Sequence, residues 1–171
     1  ELCKKCDVGF SEFRGIGVAA GPGSYTSLRI GYAIAKGLAL SLHIPAIAIP
    51  TLEILVAAQP LRDIPLFAAL HAGRNRYAIG KFTAQSKKWV ADDKIEIKKI
   101  DEIVNMTSTP AIMCGEINAE DRQFLLKNNK NYILALPVQS VRRPSYLAYL
   151  AWRKLKTGKF DDVRKISPTY L

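Results

Sequence analysis

Cysteine, histidine and acidic side chains are all scarce in this chain of 171 residues. Three cysteines cannot build a disulfide framework. Cys3-Lys4-Lys5-Cys6 is a lone CxxC. Zinc would need two further ligands, and the only histidines, His43 and His71, stand apart from it and from each other. A redox CxxC usually opens a helix after a strand, whereas Cys3 and Cys6 read as neighbours one turn apart on a helix. No apolar run reaches the length of a membrane span, because Lys36, His43 and prolines break the longest one. No signal-peptide pattern is seen. The cytoplasm is therefore the expected compartment. The chain begins at Glu1 rather than Met, so a preceding segment is expected.

Acids are outnumbered 15 to 25, for a net charge of +10. The excess is uneven: five basic against four acidic side chains in residues 1–60, twelve against nine in 61–141, eight against two in 142–171. A nearly neutral amino part suits a protein contact. The basic carboxyl end suits nucleic acid or an acidic partner, or else is a solvated helix face. Hydrophobic content of 49% and charged content of 23% are those of a globular protein, long enough for one domain or two small lobes.

What is abundant is apolar sequence between Gly15 and Pro50. Ile16, Val18 and Ala19-Ala20 read as a buried strand. Gly21-Pro22-Gly23 breaks it, Ser24 and Thr26 are candidate caps, and a helix is expected over Ser27–Leu42. A second strand covers Ala46–Ile49. Two buried strands joined through a helix make a right-handed parallel crossover. The helix has two apolar faces: Leu28, Gly31, Ala35, Leu38 and Leu42 on one, Ile30, Ala33, Gly37 and Leu40 nearly opposite. Arg29, Tyr32, Lys36 and His43 form a narrow polar stripe. A helix lying on a sheet needs only one apolar face. Each face also carries a small-residue pair (Gly31/Ala35, Ala33/Gly37) that lets another backbone approach. The second face is either buried between layers of one domain or forms a subunit interface.

Before this unit, Leu2–Val8 reads as the end of a helix. After it, Thr51 caps a helix over Leu52–Ala58, with Glu53 where the dipole favours an acid. Pro60–Ile64 is the expected lobe boundary. Strands follow at 65–70, 76–83 and 88–97, with a bend at Asp92-Asp93. Then come a helix at 101–106, a strand at 111–114, a helix capped by Asn118, a strand at 132–136, and a last helix over 145–156 behind Pro144. The expected parts are 1–60, an incomplete first lobe; 61–143, a second lobe; and 144–171, a carboxyl-terminal helix and basic tail. Residues 64–157 read βββαβαβα, and residues 1–60 repeat that order without its opening strands. Two lobes of this type are the plan of the actin-like ATPase fold, here with a first lobe lacking its opening strands.

The stretch GPGSYTSLRIGYAIAKGLAL, followed by IPAIAIPTLEILV, resembles the TsaB (YeaZ) family. The matching positions are Gly21 to Thr26, Leu28 to Gly31 and Lys36 to Ala39; Ser27 stands where the family has glycine. The closing SPTYL from Ser167 resembles the family's ending. Two features depart from it: the opening phosphate-loop segment is absent, and His71-Ala72-Gly73-Arg74 replaces the usual Asp-Ala-Arg turn. The resemblance implies a non-catalytic scaffold that heterodimerises with a TsaD-type subunit through the glycine-rich helix, takes a TsaE-type ATPase as a further partner, and serves threonylcarbamoylation of the adenosine beside the anticodon in tRNA. ATP, metal and threonylcarbamoyl-adenylate would then belong to the partners, with no cofactor in this chain. Arg142, Arg143, Arg153, Lys154, Lys156 and Lys159 become candidates for holding tRNA within the complex, and a homodimer through the same helix is the open alternative when the chain is alone.

The residues themselves point to no catalytic constellation. The glycine turn lacks the Lys-Ser/Thr of a Walker loop, although Gly21, Gly23, Ser24 and Thr26 form a candidate anion site at a helix N-terminus. A metallopeptidase needs paired ligands that His43 and His71 do not provide. Cys114 with His71 is conceivable as a nucleophile pair, but Cys114 ends a buried strand and reads as a packed thiol. Asp92/Asp93 and Asp161/Asp162 are adjacent pairs that point apart. The rival reading is a stand-alone actin-like ATPase or sugar-kinase-like enzyme whose phosphate loop lies in the missing segment.

Overall fold

The computed structural model describes residues 2–158, 160 and 162–170. Lys159 and Asp161, singled out above, lie outside the described residues. The chain divides into two compact units, Glu1–Pro50 with Pro144–Tyr170, and Thr51–Arg143. The division falls after Pro50 rather than at Pro60–Ile64, because the helix opening at Thr51 packs against the second unit's sheet. The carboxyl-terminal segment joins the first unit.

The first unit opens with a short helix α1 (Leu2–Lys5) and a 3-10 turn at Phe10–Glu12. Its core is the expected crossover: β1 (Ile16–Ala19), α2 (Tyr25–Leu42) and β2 (Ala46–Ile49). The strands are parallel, with Ile16 opposite Ala46 and Ala19 opposite Ile49. Alternation along β1 explains the two layers on it. Val18 faces α2 and packs with Tyr32, Ala35, Ala39 and Ala46. Gly17 faces the opposite way, toward α6 (Pro144–Lys156), where an added Cβ would sit 2.8 Å from Ala151 Cβ. That close approach requires glycine. Ser24, not Thr26, caps α2: its Oγ accepts from the Ser27 N–H at 3.4 Å. His43 is no part of a polar stripe; it ends the helix in the left-handed conformation (φ 53°).

The second unit holds α3 (Thr51–Val56), β3 (Leu66–His71), β4 (Arg76–Gln85), β5 (Lys88–Lys99), α4 (Ile100–Val104), β6 (Ala111–Gly115), α5 (Ala119–Asn128) and β7 (Tyr132–Leu134). The sheet order is β5-β4-β3-β6-β7. β3–β4 and β4–β5 are antiparallel; β3–β6 and β6–β7 are parallel. This is the βββαβαβ core of an actin-like lobe, and β1-α2-β2 repeats its final β-α-β turn. β3 reads as an unbroken apolar run, Leu66-Phe67-Ala68-Ala69-Leu70, because both of its faces are covered. Leu66, Ala68 and Leu70 pack with Leu52, Leu55 and Val56 of α3. Phe67 and Ala69 pack with Ile103, Met113 and Leu125 on the other face. The β4–β5 hairpin runs longer than its sequence pattern, because Ser86 and Lys87 (φ 48° and 60°) supply the two-residue left-handed turn that suits twisted strands. The bend expected at Asp92-Asp93 is a shift in pairing instead: Gly80 pairs with Ile95 and Phe82 with Ala91.

Candidate functional site

Helix α2 presents one face to its own unit and another to solvent. Leu28, Tyr32, Ala35 and Ala39 are buried. Their spacing of three and four residues is one helical stripe. Tyr32, expected on the polar stripe, is 3% exposed; its ring fills the space over Val18 and Ala46. Leu28 and Ala35 therefore serve the core, while Gly31 and Leu42 are half-buried at its border. Turned outward are Ile30 (55% exposed), Ile34 (57%), Leu38 (39%) and Leu40 (52%), together with Ala33 and Gly37. Exposed aliphatic side chains at i and i+4, flanked by two small residues, make a continuous apolar stripe along the helix. Leu38, expected on the face of Leu28 and Ala35, turns outward instead, and Ile34 joins this face because it stands four residues after Ile30 and four before Leu38.

The glycine turn leads into α2 and is covered by the tail. Gly21 has φ 107°, and a Cβ there would lie 2.3 Å from the Thr169 carbonyl oxygen. The Thr169 N–H donates to the Ala20 carbonyl at 2.7 Å. At Gly21 the backbone of the tail fills the space that a side chain would need. Gly23 and Thr26 remain exposed, and the Ser24 hydroxyl is engaged with Ser27.

The titratable groups of the second unit are arranged for structure. Cys114, on β6 beside Ala68 of β3, is fully buried in the cluster with Leu52 and Leu55 of α3, and burial pushes its thiol up to about 12. A thiol that stays protonated is no nucleophile. His71 is exposed at the end of β3, its ring edge-on to Tyr77 at 5.8 Å and its Nδ1 accepting from the Gly73 N–H. Tyr77 donates to Asp121 Oδ2 at 2.5 Å, and Asn118 donates to the same oxygen at 2.9 Å. Burial first, and then the Asp121 carboxylate, push the Tyr77 phenol up to about 12. Asp92 pairs with Lys81 at 3.4 Å. Among the described residues no three His, Cys, Asp or Glu side chains stand close enough to hold a metal ion. No described helix is long and apolar enough to cross a membrane.

The basic candidates fall in both units. In the second, Arg142 pairs with Glu116 at 2.5 Å and Arg143 donates to the Val138 carbonyl at 2.9 Å. In the first, the α6 side chains Arg153 and Lys156 lie over the rings of Tyr149 and Trp152, at 5.8 and 4.9 Å from the centroids. Lys154 reaches inward to the Ala48 carbonyl at 3.3 Å.

Comparison with known proteins adds a lineage to this geometry. Residues 1–133 match the family model described as "TsaD: tRNA N6-adenosine threonylcarbamoyltransferase". The chain is 30% identical over 175 aligned positions to the "tRNA threonylcarbamoyladenosine biosynthesis protein TsaB" of Bacillus subtilis, covering 99% of this chain and 74% of that protein. A shorter stretch of 77 positions, 43% of this chain and 23% of the other, is 40% identical to the tRNA N6-adenosine threonylcarbamoyltransferase of Legionella pneumophila strain Corby. A crystal structure from Pseudomonas aeruginosa, described as an uncharacterized protein with similarity to peptidase YEAZ, superposes with a TM-score of 0.77 at 18% identity, over 99% of this chain and 79% of that one. At that identity the superposition speaks for the fold, which is the actin-like one.

Proposed function

Because the chain belongs to the TsaD family, in its TsaB (YeaZ) group, we propose that it takes part in making threonylcarbamoyladenosine in tRNA as a non-catalytic subunit, pairing through α2 with a TsaD-type transferase. The single observation that carries this reading is the outward stripe Ile30-Ala33-Ile34-Gly37 with Leu38 and Leu40, which the first unit does not use for its own core. Solvent-exposed apolar side chains in a contiguous row are a docking surface rather than a resting state, and small residues within the row permit helix-to-helix approach. The stripe carries no titratable group, so what it offers is binding. The occupant follows from family membership. The TsaD model spans α2, so a transferase of that family carries its own version of this strand–turn–helix, and two such helices can pack stripe against stripe. On this reading the metal, ATP and threonylcarbamoyl-adenylate chemistry sits on the partners, a TsaE-type ATPase joins the pair, and the Arg153–Lys156 end of α6 faces tRNA.

Reconstitution tests it. The complete protein, a TsaD-type subunit from the same organism and unmodified tRNA are assayed for threonylcarbamoyladenosine with and without this chain. The reading expects modification that depends on the chain and is lost in Ile34→Glu, together with loss of the heterodimer on size exclusion. Turnover of ATP by the chain alone, with modification indifferent to Ile34→Glu, would overturn it in favour of a stand-alone actin-like ATPase.

A further inference from the structure

The tail from Asp162 to Tyr170 lies along one flank of α2, running opposite to the helix. Lys36 Nζ donates to the Arg164 carbonyl at 3.3 Å. Ile166, 5% exposed, packs into the cluster of Val18, Tyr32, Ala35 and Ala39. Thr169 is tied to Ala20. Tyr170 then stacks on Tyr25, with ring centroids 4.9 Å apart at 40°. Arg29 completes the arrangement: its guanidinium carbon lies 5.0 Å from the Tyr25 centroid, and its Nη1 donates to the Tyr25 hydroxyl at 2.5 Å. Arg29, Tyr25 and Tyr170 thus form a ladder at the first turn of α2, directly beside Ile30 and the head of the outward stripe.

Three properties set this ladder apart from a simple clasp for the tail. Its two rings stay half open, Tyr25 at 56% and Tyr170 at 47% exposure, although rings gain most when fully covered. Its side chains are already held against each other, so a partner would pay little to order them. And α2 contains no acid, while among the described residues no carboxylate pairs with Arg29. Tyr and Arg, rigid and adjacent to an apolar stripe, are the side chains in which interface energy concentrates.

We infer that the Arg29–Tyr25–Tyr170 ladder is the anchor of the docking face, that the carboxyl-terminal tail is therefore a component of the interface, and that the occupant presents a carboxylate to Arg29 beside a helix of its own. This rests on the reading that a TsaD-type transferase docks on α2, and it adds where on that surface the binding energy lies. The tail, distant in sequence, delivers Tyr170 to the helix that docks.

The test is titration calorimetry of the complete protein against the TsaD-type subunit, with thermal melts of each variant alone. Arg29→Glu is expected to weaken binding by at least about tenfold without moving the melt, because Arg29 is exposed and forms no core contact. Tyr170→Ala is expected to weaken it comparably, Tyr170→Phe to bind as wild type, and the Tyr25→Ala/Tyr170→Ala pair to cost little more than either alone, as for residues that act as one unit. If Tyr170→Ala loosens the fold, Arg29→Glu decides. Should Arg29→Glu and Tyr170→Ala bind within twofold of wild type while Ile34→Glu abolishes binding, the ladder is only a clasp: the inference falls and the helix reading stands. Should Ile34→Glu also bind normally, both fall.

Discussion

Replacing Gly37 by alanine should move stability and binding in opposite directions. Gly37 lies inside α2 with ordinary helical backbone, and an added Cβ would meet nothing within 4 Å. The substitution thus recovers the intrinsic helix preference of alanine over glycine, about 1 kcal/mol, with no steric charge. In a chain of this size that raises the melting temperature by about 3 °C. On the proposed pairing of α2 with a TsaD-type subunit, the same methyl would enter a helix–helix contact that the small residue keeps close. Overpacking of that kind costs about 1–3 kcal/mol, so the dissociation constant should rise roughly 5- to 150-fold. Differential scanning fluorimetry and calorimetry against the TsaD-type subunit read the two effects separately. Gly31→Ala is the internal control for stability: its Cβ would sit 3.9 Å from Val18 Cγ2, an ordinary contact within the unit. A fall in melting temperature for Gly37→Ala would mean that the outer face is not open. A rise accompanied by unchanged affinity, in both Gly37→Ala and Gly37→Leu, would refute the claim that this glycine exists for close approach.

Other perturbations test the second unit. Gly115 has φ 112°, and a Cβ there would lie 2.0 Å from the Ala69 carbonyl oxygen across the β3–β6 pairing; Gly115→Ala should cost about 3 kcal/mol or more, read as a lowered urea midpoint. Cys114 should resist iodoacetamide in the folded protein at pH 8 and react only on unfolding, whereas Cys6, which is exposed, should label at once; mass spectrometry of labelled peptides distinguishes them. Tyr77 makes stability fall in alkali. Its folded value of about 12 lies above its ordinary 10, so the neutral phenol is favoured in the fold, its contribution is complete below pH 10, and it is lost as pH rises toward 12. Tyr77→Phe should flatten the stability profile across that interval, and an unchanged slope would show that Tyr77 ionises as freely in the fold as in the open chain.

Much of the fold was legible because its signals are local. β3 is a five-residue apolar run, β1 and β2 flank a glycine turn and a cap, and Asn118 caps α5 through its accepted bond from the Asp121 N–H at 2.8 Å. The lobe boundary was not legible, because α3 follows β2 directly in sequence yet buries Leu52, Leu55 and Val56 against β3; that choice is tertiary. The same reason explains Tyr32. By residue type it is polar, and only its i+4 step from Leu28 and i+3 step to Ala35 reveal that its ring belongs inside. Which of the two small-residue pairs faces outward was undecidable from periodicity, since each has the same composition and spacing. Long-range partners decide it. Val18 from β1, Ala46 from β2 and Ile166 from the tail cover Tyr32, Ala35 and Ala39, so the Ala33/Gly37 pair is left outside. A glycine in a helix interior that meets nothing in its own fold costs stability and returns none. Gly31 borders Val18 and so has a reason within the unit; Gly37 meets nothing there, and the proposed docking on α2 is what would give it one.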